Sequence, residues 1–388
     1  MSWFSNLRTE YKNYKLFFSK ECREHRRLVF YSERDIYFQT FAPFIEEILQ
    51  DPDISCSYIT SDPNDPLLSQ HHERLHPFYF NHFLKSVFDK MDAKIFVFTM
   101  PDLNTYHLKK SPHTQEYVYL FHAFSSTHLQ YNERAFDAYD TIFCVGPHHV
   151  KEIQKRESLY HLPSKKLLPV GYPRMDVVYQ AFQQKPHKHN KEVKKILIAP
   201  TWSSASLFEN GIEELIDVLA PLNYTVVLRP HPEFLKRCPR QASHLQHKIV
   251  SLAHFFWEDQ LLSEENLYDA NVLITDRSGI AFEYAFGTER PVIFIETPLK
   301  KHNPRWQDLQ IDPIEIALRK EIGIEVPLSQ LSKLSYLLDD FLRRQEEWHQ
   351  RLCALREQHV FNWNHSASQG AAYILNQTKK LYKISERR

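Results

Sequence analysis

Residues 272–284, Val-Leu-Ile-Thr-Asp-Arg-Ser-Gly-Ile-Ala-Phe-Glu-Tyr, change character partway: a buried strand stops at a polar turn and restarts as a helix. At a strand-to-helix turn the first backbone N–H groups have no partner within the helix and point at whatever lies above them. The N–H groups of Gly279 and Ile280 and the hydroxyl of Ser278 are therefore candidate ligands for an anion, and Arg277 adds a fixed positive charge. Roughly 45 residues upstream, Arg229-Pro230-His231-Pro232 ends a second apolar strand with another cation and an imidazole, the prolines stiffening the turn. Two strand ends so furnished point to one diphosphate site. The competing readings are plain: Ser278 as a simple N-cap, and Arg-Pro-His-Pro as a structural turn.

Such groups need a scaffold, and composition bounds it. The chain has 388 residues, 43% apolar and 25% charged, long enough for two domains of about 150 to 200 residues. Its 48 basic and 48 acidic side chains cancel, which argues against a nucleic-acid binder that relies on a broad basic field. Five scattered cysteines without a C-x-x-C spacing read as reduced thiols in a cytoplasmic compartment. No run of 18 apolar residues and no secretory leader is apparent.

Short apolar strands alternate with helical stretches. Strands are expected at 27–31, 55–60, 94–99, 117–121 and 141–145, then at 195–199, 224–228, 248–251, 271–275 and 291–295. Helices fit 38–49, 80–91, 147 onward, 211–219, 279–286 and most of the chain after 328. This alternation predicts an α/β protein with parallel sheets, two tandem Rossmann-like domains and a ligand cleft between them. The expected division is a basic amphipathic segment over 1–26, an N-terminal domain over 27–180, a polar linker over 181–194, a C-terminal domain over 195–365 and a basic helical tail over 366–388. Both ends are rich in Lys/Arg and aromatic residues. They read either as helices lying on their own protein or as peripheral attachment to an anionic membrane surface.

The ordered set Gly171-Tyr-Pro-Arg-Met-Asp176, Ala199-Pro-Thr-Trp202, Arg229-Pro-His-Pro232, Thr275-Asp-Arg-Ser-Gly279 with Glu283, and Pro291-Val-Ile-Phe294 resembles the CDP-glycerol glycerophosphotransferase family of teichoic-acid synthesis. The resemblance covers about half the chain, 121–294. It implies a GT-B fold whose C-terminal domain holds the nucleotide, with no metal or other cofactor. It also implies transfer of glycerol phosphate, or a related polyol phosphate, from a CDP-activated donor to a hydroxyl of a lipid-linked or polymeric acceptor, with CMP leaving. Under it, His122 is the candidate general base, its intrinsic pKa near 6.5 suiting proton acceptance, and His231, the second candidate catalytic residue, holds the diphosphate with Arg229. Glu283 accepts from ribose hydroxyls, Thr201 and Ser203 face phosphate or base, and Arg174 reaches phosphate. Glu283 reads alternatively as a solvated helix-face residue, and Thr201 and Ser203 as turn chemistry. The chain departs from the family at Ala123, where Gly is usual after the histidine, in having no lysine between His122 and Lys151, and at Arg277 and Gly279.

Two other functions fit the same cleft: a glycosyltransferase using a nucleotide-sugar donor, and a nucleotide-binding homologue without catalysis. Metal chemistry has little support, since neither H-E-x-x-H nor a Cys/His cluster of zinc spacing occurs. The signatures of P-loop NTPases and of G-x-S-x-G hydrolases are missing as well.

Overall fold

Strands buried on both faces belong to parallel sheets covered on each side by helices, and this chain is built from them. The computed structural model describes residues 3–184, 194–258 and 265–386. Seven strands form the first sheet: β1 (Leu28–Ser32), β2 (Cys56–Thr60), β3 (Leu75–Tyr79), β4 (Ile95–Phe98), β5 (Glu116–Leu120), β6 (Thr141–Cys144) and β7 (Lys166–Pro169). Their order is β3-β2-β1-β4-β5-β6-β7. Six strands form the second: β8 (Lys194–Ile198), β9 (Tyr224–Leu228), β10 (Phe255–Trp257), β11 (Val272–Thr275), β12 (Val292–Ile295) and β13 (Gly323–Val326), in the order β10-β9-β8-β11-β12-β13. All pairings are parallel.

In each sheet the first strand sits inside and the chain winds outward to both sides, so strand order reverses at β1 and at β8. A crevice opens beyond the carboxyl ends at such a reversal. Beyond β1, β4 and β5 lie Glu33, Thr99 and His122; beyond β8, β9 and β11 lie Thr201, His231 and Ser278.

The strands expected around β1, β2, β4, β5, β6, β8, β9, β11 and β12 are present. The short strand expected at 248–251 is not: Pro239–Val250 is a helix. Its buried residues Ala242, Leu245 and Ile249 recur at helical spacing, a period of 3.6 that prevails over a local apolar run. The strand falls instead at β10, paired to β9. The edge strands β3, β7 and β13 escape a sequence reading because β3 carries Pro77, which an edge strand tolerates, and because β7 and β13 are only partly buried.

Two helices tie the halves together. Pro173–Gln184, which follows the first sheet, lies on Ile280–Thr288 of the second; a Cβ at Gly287 would stand 2.5 Å from Val178 Cγ1, so this close crossing requires glycine. The C-terminal helix Ser366–Glu386 returns to the first sheet and buries Ala371 and Ile374 among Phe44 and Phe143. Asp176 caps its start by accepting from Asn364 N–H (2.9 Å) and Ser366 N–H (3.0 Å). Gly171, at φ +101°, passes so near this segment that a Cβ would stand 2.3 Å from Phe361 O. The expected tail is thus a helix over its described length, packed on the first sheet through residues such as Ala371 and Ile374, with 387–388 outside the described residues. Of the expected linker, 181–184 is helical and 185–193 lies outside the described residues.

The N-terminal helix Trp3–Phe17 also docks on its own protein. Phe17 is fully buried, and the buried Glu10 accepts from Asn81 N–H (2.9 Å) and Phe83 N–H (3.0 Å). Among the described residues no helix is long and apolar enough to cross a membrane.

Candidate active site

A cleft of about 480 Å³ lies between the carboxyl ends of the two sheets. His122 lines its first wall. Thr201, Arg229, His231, Arg277, Ser278, Gly279, Ile280 and Glu283 line the second. Ser203 and Arg174 do not line it. Ser203 Oγ accepts from Ala205 N–H at 3.2 Å inside its own turn, and Arg174 Nε donates to Glu283 Oε2 at 3.3 Å.

The turn after β11 has the features of an anion site. Helix Ile280–Thr288 begins at Gly279, and among the described residues the Ser278 hydroxyl makes no capping hydrogen bond to the first turn. Among the described residues, neither the N–H groups of Gly279 and Ile280 nor the Ser278 hydroxyl has a hydrogen-bond acceptor. A Cβ on Gly279 would meet nothing within 4 Å; the space above it is the cleft. Asp276 shapes the turn. Its fully buried carboxylate accepts from Thr201 N–H (2.8 Å), Leu207 N–H (2.8 Å) and Arg277 N–H (2.6 Å), joining the loop after β8 to the loop after β11.

The cations are arranged differently from the expectation. Arg229 is clamped by Glu258, with Nε to Oε2 at 2.9 Å and Nη2 to Oε1 at 3.1 Å, so its charge is already matched by a bidentate carboxylate. Arg277 Nε donates to the Thr297 carbonyl at 3.0 Å. Lys300, which sequence reasoning missed, lines the cleft with its ammonium 4.8 Å from the centroid of the Trp202 ring. Burial lowers its pKa, as expected of an ammonium group that lacks a full counter-charge.

The two histidines differ in role. His231 caps helix Pro232–Arg237, its Nδ1 accepting from Glu233 N–H at 3.1 Å. With Nδ1 an acceptor, the neutral ring carries its proton on Nε2. Burial, then the charge of Lys300, pushes its pKa down to about 4, so near pH 7 it is a neutral donor. His122 is also pushed down to about 4, by burial, beside Tyr37 at 5.1 Å and Tyr131 at 6.3 Å between ring centroids. Its Nδ1 is buried without a partner.

A family model described as CDP-Glycerol:Poly(glycerophosphate) glycerophosphotransferase matches residues 14–314. The chain belongs to that family. It is a transferase that moves glycerol phosphate from CDP-glycerol to a polymer acceptor, as the family does. Among solved structures, the wall teichoic acid polymerase TagF, in a variant soaked with CDPG, has a TM-score of 0.63 at 14% identity over 97% of this chain and 95% of that one. A second TagF structure gives 0.60 at 15% identity, over 97% and 96%. UDP-GlcNAc 2-epimerase from Methanocaldococcus jannaschii, with UDP-GlcNAc and UDP, gives 0.58 at 13% identity over 90% and 99%. At these identities the likeness shows the fold, which is of GT-B type. No curated protein is similar enough in sequence to count as a match.

Within this glycerophosphotransferase the two walls are stitched together by contacts that motif spacing did not reveal. The Tyr172 hydroxyl sits within hydrogen-bond distance of the His122 carbonyl (2.8 Å) and of Glu283 Oε1 (3.1 Å). Glu283, expected to accept from ribose, is therefore already engaged by Tyr172 and Arg174. At the opposite lip Arg34 Nη1 donates to Glu233 at 2.8 Å, two residues from His231. One trio of potential metal ligands occurs among the described residues, Glu289, His349 and Cys353, with donor atoms within 4.8 Å of one another. It lines no part of the cleft, and Arg356 already donates to Glu289 at 2.7 Å and approaches Cys353 Sγ at 3.7 Å.

Proposed function

We propose that the CDP-glycerol diphosphate lies over the Ser278–Ile280 turn and that His122 takes the proton from the acceptor hydroxyl across the cleft. The observation that carries this reading is the pairing of two unpartnered N–H groups and a free hydroxyl on one wall with an imidazole on the other. In a phosphoryl transfer the protein mainly positions the groups and neutralises charge on the non-bridging oxygens. The Gly279 and Ile280 N–H groups, Ser278 Oγ, His231 Nε2–H and the Lys300 ammonium supply that here. The acceptor oxygen bonds to the phosphorus that bears glycerol, the bond from that phosphorus to the bridging oxygen breaks, and the electron pair leaves with CMP. The proton goes to His122. Arg277, fixed by Thr297, sets the positive potential of the rim. Arg174 and Arg229 act indirectly, by holding Glu283 and Glu258.

Incubation with CDP-glycerol and a glycerol phosphate polymer should yield CMP in step with polymer growth, and nucleotide sugars should yield no nucleoside diphosphate. Release of a nucleoside diphosphate from a nucleotide sugar would favour glycosyl transfer instead. Binding of CMP without turnover of any donor would favour the non-catalytic reading.

The acceptor is lipid-linked in this account, and the protein works at the cytoplasmic face of a membrane without crossing it. The support is the outer side of the N-terminal helix, where Tyr11 (49% exposed) and Leu16 (47% exposed) stand with the exposed Lys12 and Lys15. Apolar side chains beside lysines suit an anionic interface. Flotation with vesicles containing anionic lipid should carry the protein upward, and equal recovery with neutral vesicles would count against attachment.

A further inference from the structure

We propose that Glu315 reads the polyol, its carboxylate accepting hydrogen bonds from the free hydroxyls of the glycerol phosphate in transit; this rests on the reading of the cleft given above. Glu315 lies in the short helix Ile314–Ala317, on the long segment that follows β12, and lines the cleft. Its placement depends on the opposite domain: Oε2 accepts from Ser126 N–H at 3.0 Å and Oε1 from the Ser126 hydroxyl at 2.9 Å. The same segment is pinned nearby, with His128 Nε2 3.0 Å from the Ile311 carbonyl and His302 N–H donating to the Leu129 carbonyl at 3.1 Å. The carboxylate is thus held at the waist of the molecule, on the strap that joins the nucleotide wall to the loop carrying His122.

Its partners set what it can bind. Among the described residues no cation is paired with Glu315, and Ser126 is its hydrogen-bond partner. A carboxylate offers about four acceptor sites, so two contacts leave capacity on both oxygens. Its charge acts on both Arg277 and Tyr131, and the Tyr131 ring lies 6.3 Å from that of His122. Glu315 lines the same cleft as the Ser278–Ile280 turn and His122. Burial raises its pKa and Arg277 lies within reach of its charge; with acceptor sites to spare it suits hydroxyl donors, and phosphoryl oxygens are left to the cations and N–H groups of the turn. A glycerol phosphate satisfies both demands in one orientation, with adjacent hydroxyls toward Glu315 and phosphorus toward His122. A donor whose transferred group lacks those hydroxyls leaves the part-buried acceptor unanswered, which is the condition for discrimination.

The test pairs two donors, CDP-glycerol and its CDP-propanediol analogue lacking the terminal hydroxyl, with wild type, Glu315→Gln and Glu315→Ala. Wild type should prefer CDP-glycerol in kcat/KM by about 10- to 100-fold. In Glu315→Ala the preference should collapse to about threefold or less, with product inhibition by CMP unchanged. Glu315→Gln keeps the shape and an acceptor for Ser126, so it guards against a folding defect and should show a reduced preference. Variants that lose activity equally toward both donors, or retain the wild-type preference, overturn the assignment. Wild type that turns over neither donor overturns the reading of the cleft itself, and the inference with it.

Discussion

The His122→Ala protein is expected to release CMP from CDP-glycerol about 10²- to 10⁴-fold more slowly than wild type, the usual contribution of a positioned general base. Its affinity for CMP should change little, because the groups assigned to the diphosphate lie on the other wall. The pH profile gives a second signature. His122 must be neutral to accept a proton, and burial holds it at about 4. The acid limb of kcat/KM, which reports free enzyme, should therefore fall near pH 4 rather than near the ordinary histidine value. The limb of kcat should lie higher, since a bound diphosphate favours the protonated ring. Loss of CMP binding in His122→Ala equal to the loss of turnover would contradict the division of labour.

The same pKa values act on stability. His122, His149 and His231 are each pushed down to about 4 by burial, whereas the unfolded rings titrate near 6.5. Between those values the unfolded chain binds more protons, so the stabilisation these rings represent is complete above about pH 6.5 and is lost as pH falls toward 4.

The Asp276→Ala substitution should produce the largest loss of stability in the site. Thr201 and Leu207 would each lose the acceptor for a buried backbone N–H, and Arg277 the acceptor for a part-buried one. Each buried donor left without a partner costs about 1–3 kcal/mol, so a total on the order of 3–5 kcal/mol is expected after partial relaxation. Urea unfolding should show it as a lower midpoint, and KM for CDP-glycerol should rise because the Ser278–Ile280 turn loses its anchor. An unchanged midpoint would mean that the two loops hold their shape without Asp276.

Local signals carried most of the fold. The strands that surround the cleft announced themselves as apolar runs ending in Gly, Pro or charged residues, and the Arg-Pro-His-Pro and Asp-Arg-Ser-Gly turns lie on one wall of one cleft. The failures are those of long-range pairing. Arg229 looked free to bind phosphate because Glu258, its partner at 2.9 Å, lies beyond the adjacent strand β10. Glu283 looked free because Tyr172 and Arg174 come from before the linker. Lys300 sits in an irregular stretch and Glu315 in the one-turn helix Ile314–Ala317, neither long enough to show a period, so only the fold brings them to the site. The isolated run Lys248–Ser251 resembled a strand because helical burial of Ile249 is visible only with Ala242 and Leu245 in view.

The most direct test of the central claim is a structure of the His122→Ala protein with CDP-glycerol bound. The account predicts diphosphate oxygens at about 2.7–3.2 Å from the backbone nitrogens of Gly279 and Ile280, with the glycerol-bearing phosphorus facing position 122. A diphosphate bound away from the Ser278–Ile280 turn, or a donor whose glycerol points out of the cleft, would contradict it.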